Sequence, residues 1–262
     1  MSSQWLELAI DAARQAGEVI LEFYHRNLTV EHKGDGSPLT QADCASHVVI
    51  FGRLQETGMP VVSEERADLH LMAERYWLVD PLDGTKDFLA GNDEFTVNIA
   101  LVESQRPALG VVFAPALDEL YVGMPKEAAW CVKAGVRSEC VAGEKAACLR
   151  MAVSRFHSHS DVEVFVEANH IGERVAIGSA LKYGRLALGA VDVFPRLVGS
   201  SEWDTAAGQA VLEAAGGRVL DWHTGEQLLY GKLKRRNPRL LALRAPYRFA
   251  DFELKQYGSE LL

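Results

Sequence analysis

Cysteine is scarce in this chain. Four occur in 262 residues, Cys44, Cys131, Cys140 and Cys148, and no two are closer than eight positions. That spacing excludes a C-x-x-C redox pair and a zinc-finger framework. A chain of this length folds without disulfide staples, so the four are expected to be reduced thiols, buried or semi-buried. An excess of positive charge is also missing: 27 Lys and Arg against 36 Asp and Glu leave a net charge of −9. Such a chain is a poor general binder of nucleic-acid polymers or anionic membranes. An anionic substrate would need local cations or a metal. No apolar run approaches the roughly 18 residues that span a bilayer. The first twenty residues lack a basic start and carry Glu7 and Asp11, unlike a signal peptide. A cytoplasmic protein without an integral membrane segment is expected.

What is present is patterned. Trp5, Leu8, Ala12, Ala16, Val19 and Phe23 recur at helical spacing, predicting an amphipathic helix over 4–24. After the Gly-rich turn HKGDGSPL, Thr40 opens a second helix whose buried stripe is expected at Ala45, Val48, Val49 and Gly52. The period then shortens. PVVS and YWLVD are strand-length runs, and FTVNIALV, ALGVVFA, ELYVGM and AAWCVK read as an antiparallel sheet. From about residue 150 strands and helices alternate, which argues for an α/β layer. Two lobes, 1–135 and 136–262, are expected to form one catalytic unit.

Five stretches could carry chemistry. In DPLDGTKDF (80–88), Asp80 and Asp83 lie three residues apart across a turn, so both can face one hard cation. The Leu82 carbonyl can join them, and the free N–H groups of the turn at Gly84 and Thr85 suit a phosphate. Pro81 occupies the place where haloacid dehalogenase-type phosphatases carry their nucleophilic Asp, which excludes that chemistry. SEE (63–65) puts Glu64 at the end of a neighbouring strand. Asp204 starts a helix in SEWDTAAGQ, Thr40 and Asp43 fit a capping box, and Lys182 and Arg185 sit near the start of a helix, where the dipole disfavours cations unless an anion is near. Each stretch alone also has a plain structural reading as a turn, a cap or a solvated face.

Together, and in this order, they resemble the inositol monophosphatase superfamily of metal-dependent, lithium-sensitive phosphatases over residues 5–245. KGDGSPLTQAD, YWLVDPLDGTKDF and GSALKYGRLALGAVDVFPR are most similar to its bacterial 3′(2′),5′-bisphosphate nucleotidase branch, the CysQ type. Lys86 and Asp87 stand where inositol monophosphatases more often carry Thr-Asn. The resemblance implies a layered αβαβα sandwich and two or more Mg²⁺ ions held by Glu64, Asp80, Asp83, Asp204 and the Leu82 carbonyl. It assigns Asp43, Glu64 and Thr85 to activation of a water, with no covalent intermediate. It gives the substrate to Gly84, Thr85, Lys86, Lys182, Glu202 and Asp204. The implied reaction removes the 3′-phosphate of adenosine 3′,5′-bisphosphate, in support of sulfate assimilation. The alternatives are an inositol or sugar-phosphate monophosphatase with the same metals, and a non-catalytic nucleotide sensor. Monomer and homodimer stay open, as does peripheral attachment to the inner membrane.

Overall fold

The computed structural model describes residues 2–26, 31–32, 38–66, 73–141, 143–156 and 160–254. Two sheets dominate. In the first, Val61–Ser63 runs parallel to Arg75–Asp83. An antiparallel meander then continues through Thr96–Glu103, Arg106–Ala114, Glu119–Met124, Ala128–Lys133 and Val136–Glu139. The second sheet has the order 173–176, 150–153, 193–196, 240–243, 218–221. Its first three strands are parallel, and Leu240–Leu243 is antiparallel to both its neighbours.

Five layers follow from where the apolar faces go. Helix α1 (Ser2–Phe23) and helix α2 (Gln41–Leu54) cover one face of the first sheet. Ala9, Ala12, Ala16 and Ile20 pack there with Trp77, Val97, Ile99 and Val111. A short helix, α3 (Thr85–Ala90), caps the strand end at Asp83. Helix α4 (Ser160–Ala168) lies on the outer face of the second sheet, with Phe165 against Met151, Val193 and Leu241. Between the sheets sit α5 (Leu181–Ala187) and α6 (Ala206–Ala214). One continuous cluster joins Ala100, Val112 and Tyr121 of the first sheet, Leu181, Ala207 and Val211 of these helices, and Phe194, Val219 and Ala242 of the second. This is the expected αβαβα sandwich.

Three expectations are corrected. The division at 135/136 falls in the turn of a hairpin, because Val136–Glu139 pairs with Ala128–Lys133 and extends the first sheet. The buried line of α2 is Ala42, Ser46, Ile50 and Leu54, while Val48 is exposed. The helix turns this face inward so that the Ser46 hydroxyl donates to the Pro81 carbonyl at 2.7 Å. Cys131 and Cys140 are buried, but Cys44 and Cys148 are exposed; none of the four is in a disulfide. Residues 33–37 of the Gly-rich turn HKGDGSPL lie outside the described residues.

Helix α6 approaches the first sheet closely because Gly110 and Gly123 face its backbone. A Cβ at either would collide with the main chain at Ala207 or at Ala210–Val211. We expect Gly110→Ala and Gly123→Ala each to cost about 1–3 kcal/mol in urea unfolding. Unchanged midpoints would mean that this layer yields easily.

Candidate active site

The strand Arg75–Asp83 carries the first wall. Its pairing with Thr96–Glu103 is regular up to Asp80 opposite Asn98, then shifts register before Asp83 opposite Thr96. That irregularity turns the segment 80–83 out of the ladder. Asp80 is buried, and its Oδ1 accepts from the Leu82 N–H at 3.1 Å. Asp83 Oδ2 accepts from the Ala180 N–H at 2.6 Å and from Asn98 Nδ2 at 3.4 Å. Gly84 follows with φ 86°, a left-handed conformation that glycine adopts without strain, and α3 begins. Glu64 sits beside this strand, its N–H donating to the Val79 carbonyl at 3.1 Å.

Asp43 works in two directions. Its Oδ2 accepts from the Thr40 N–H at 2.8 Å and hydroxyl at 2.6 Å, completing the expected capping box of α2. Its Oδ1 lies 3.5 Å from the Thr85 hydroxyl, which also reaches the Leu82 carbonyl at 3.4 Å.

The second wall comes from the later half of the chain. Asp204 Oδ2 accepts from the Ser201 N–H at 2.9 Å, just ahead of α6. Burial raises the Asp204 pKa, and the nearby Asp83 and Glu64 charges add to it; Arg196 opposes. Burial likewise raises Asp83, against the charges of Lys182 and Arg196 and the Ala180 N–H. Three carboxylates therefore sense one another across the two walls. Among the described residues no group of three or more His, Cys, Asp or Glu is gathered tightly enough to grip a metal as it stands. The donor set is nonetheless all oxygen, which suits a hard cation such as Mg²⁺. The raised carboxylates are those a cation would relieve.

Between the walls lies a cleft of about 330 Å³ lined by Asp83, Thr85, Lys86, Arg155, Arg196 and Asp204, among others. Of the residues expected at the substrate, Gly84, Thr85, Lys86, Lys182 and Asp204 reach this lining. Glu202 does not. It is fully buried, ion-paired to Lys232 at 2.9 Å and Arg235 at 3.2 Å, and accepts from two backbone N–H groups of 231–232. It ties the loop before α6 in place. Lys182 is buried at the cleft edge, and its ammonium donates to the carbonyls of Ile177 and Ser179 at 2.7 and 2.9 Å. Burial and then Arg196 pull its pKa down to about 8, opposed by Asp83, Asp87 and Glu94. The anion that Arg185 answers is Glu119 of the first sheet, at 2.8 Å.

Arg155 and Arg196 were missed in the sequence. Each closes or follows an apolar strand of the second sheet, the same signal that marks Asp80. Ligands of α/β sheets gather at the carboxyl ends of parallel strands, and strands 150–153, 173–176 and 193–196 all end at this cleft. Arg155 is held by Glu94, with contacts of 2.9 and 2.7 Å.

Fold and cleft together define a five-layer α/β protein that sets carboxylates against cations between two sheets. The inositol monophosphatase family model matches residues 1–245, and the chain belongs to that family. It is 42% identical over 234 residues to the 3′(2′),5′-bisphosphate nucleotidase CysQ of Salmonella typhimurium, covering 86% of this chain and 93% of that protein. The Escherichia coli K12 protein of the same name is 39% identical over 232 residues, with the same coverage. Among solved structures, CysQ from Bacteroides thetaiotaomicron superposes with a TM-score of 0.81 at 33% identity, covering 92% of this chain and 97% of that one. The Thermotoga maritima IMPase gives 0.77 at 25% identity, covering 92% of each.

Two outcomes are expected. Asp83 and Asp204 titrate higher folded than unfolded, so the folded state holds extra protons above the ordinary carboxylate range. Stability of the metal-free protein should therefore fall as pH rises from that range towards neutrality. Asp204→Asn should flatten the slope in urea unfolding across pH 5–8; an equal slope would remove Asp204 from it. Glu202→Ala strands Arg235 and should cost about 3–5 kcal/mol of stability, read by the same method; a loss confined to KM would contradict its structural placement.

Proposed function

We propose that this chain is a Mg²⁺-dependent phosphatase that removes the 3′-phosphate of adenosine 3′,5′-bisphosphate, giving AMP and phosphate. The observation that carries the substrate is the 42% identity to a 3′(2′),5′-bisphosphate nucleotidase over 93% of that protein. The cleft supports the chemistry, because hydrolysis of a phosphomonoester needs charge and position more than a side-chain nucleophile.

In this reading Glu64, Asp80, Asp83, Asp204 and the Leu82 carbonyl hold two or more Mg²⁺ ions. When bound, the ions supply positive charge to the phosphoryl and leaving oxygens and acidify a water. The residues of the chain do the rest. Asp43 takes the hydroxyl hydrogen of Thr85, which leaves a Thr85 lone pair to orient the attacking water. Glu64 accepts a proton from that water. The N–H groups of Gly84, Thr85 and Lys86 receive the phosphoryl oxygens, and the Lys86 ammonium adds charge at the exposed rim. Water oxygen bonds to phosphorus, the P–O3′ bond breaks, and the 3′-oxygen takes a proton from solvent, to which Glu64 returns the one it accepted. Lys182 steadies the carbonyls ahead of α5 and the Asp83 charge, and Arg196 faces the phosphates.

The working compartment proposed is the cytoplasm, where cysteines stay outside disulfides, as these four do. Among the described residues no helix is long and apolar enough to cross a membrane.

The test is phosphate release with Mg²⁺ from adenosine 3′,5′-bisphosphate, inositol 1-phosphate and fructose 1,6-bisphosphate. A preference of tenfold or more in kcat/KM for the nucleotide, about 1.4 kcal/mol, is expected. Comparable rates would leave a broad phosphatase in place of a nucleotidase. Chelation should abolish turnover, and Asp83→Asn should lower kcat at least about a hundredfold. Appreciable turnover by the metal-free enzyme would overturn the mechanism.

A further inference from the structure

The phosphate-facing groups leave one part of the cleft unexplained. Phe156 follows the strand Arg150–Val153, lines the cleft, and is 44% exposed. It belongs to none of the three hydrophobic clusters. A large apolar ring held in the open at a charged cleft contributes nothing to the core. The other aromatic rings of the cleft are committed. Tyr183 and Phe194 are buried, meet edge to face at 6.0 Å, and Phe194 carries the Lys182 ammonium 5.3 Å from its centre. Among the described lining residues, Phe156 alone offers an accessible aromatic face.

The residue before it is anchored. The neighbouring Arg155 places two nitrogens on Glu94 Oε2 at 2.9 and 2.7 Å and donates to the Ala176 carbonyl at 3.2 Å. Glu94 also accepts from the Gly178 N–H at 2.8 Å, so the loop is tied to the segment ahead of α5. The same pairing neutralises the Arg155 charge beside the ring. What remains is a flat, apolar, accessible surface in the same cleft as the turn 84–86.

We infer that Phe156 is the stacking platform for the substrate's nucleobase, and that it separates nucleotides from base-free phosphates. Every base presents a π-face to an aromatic ring; an inositol or a furanose presents none. This inference rests on the nucleotide reading above. Its competitor is a crevice of about 190 Å³ next to the cleft, lined by Val153, Val162 and Leu197, where strands 150–153 and 193–196 pair only at Met151 and Val193.

The experiment uses the Mg²⁺-loaded enzyme and two readouts. Phe156→Ala should raise KM for adenosine 3′,5′-bisphosphate about tenfold, a loss of stacking, and KM for fructose 1,6-bisphosphate by less than about twofold on the same grounds. Phe156→Trp should keep the nucleotide KM, and its added fluorescence over the unsubstituted protein should be quenched by AMP but not by ribose 5-phosphate. Absence of that quenching, or an equal rise of both KM values in Phe156→Ala, overturns the inference. So does a nucleotide KM raised by Val162→Phe and untouched by Phe156→Ala, which would put the base in the crevice. The two readings fail separately: without nucleotide turnover by the unsubstituted enzyme the proposed reaction falls, while quenching by AMP still reports the platform.

Discussion

Of the hydrogen bonds that join the two halves of this molecule at the cleft, one ties the carboxylate wall itself to the second half. The Asp83 carboxylate ends a strand of the first sheet and accepts, at 2.6 Å, from the N–H of Ala180 at the threshold of α5. Every other feature of the cleft presupposes that seam. The middle helical layer must be thin enough for strand ends of both sheets to reach one edge. Gly110 and Gly123 make it so by admitting the backbone of α6. Glu202 then fixes the loop that carries Asp204, using Lys232 and Arg235 from a distant part of the chain.

The cleft that results is electrostatically unfinished. Buried carboxylates of one sign are pushed towards protonation by desolvation and by one another. Arg196 and Lys182 offset part of that charge from the second wall. A net charge of −9 is thus no obstacle to an anionic substrate, because what matters is the balance inside the cleft. The cations nearest the carboxylates are themselves constrained. Arg155 is paired with Glu94, and Lys182 is enclosed by carbonyls, which is why the proposed reaction gives the substrate to Lys86 and Arg196.

Much of this was legible in the sequence. Strand-end acids such as Asp80 and Asp83 announce themselves, because an apolar run stopped by Pro and Gly places them at a rim. The capping box at Thr40 and Asp43 is a local pattern with local causes, and it appears as read. The run of helices, meander and alternating elements followed from the change of hydrophobic period, and the five-layer order only from the family resemblance. Tertiary pairing was not legible. Glu202 stands beside Asp204 in the chain, and nothing local says that its partners are Lys232 and Arg235. Arg185 announced an anion, but Glu119, the anion it meets, lies more than sixty positions away on another layer. The buried stripe of α2 was misplaced for the same reason: the hydroxyl of Ser46 draws its own face inward to the Pro81 carbonyl, against the preference of Val48.

The divided carboxylate of Asp43 carries a wider meaning. One oxygen closes the first turn of α2, and the other stands beside the hydroxyl of Thr85. A local scaffold element and, in the proposed mechanism, a water-orienting pair thus share a single side chain. Neither contact can be adjusted without moving the other, so the start of this helix is bound to the proposed chemistry as closely as any residue in the cleft. Frayed ends, which most helices tolerate, are a luxury denied to this one.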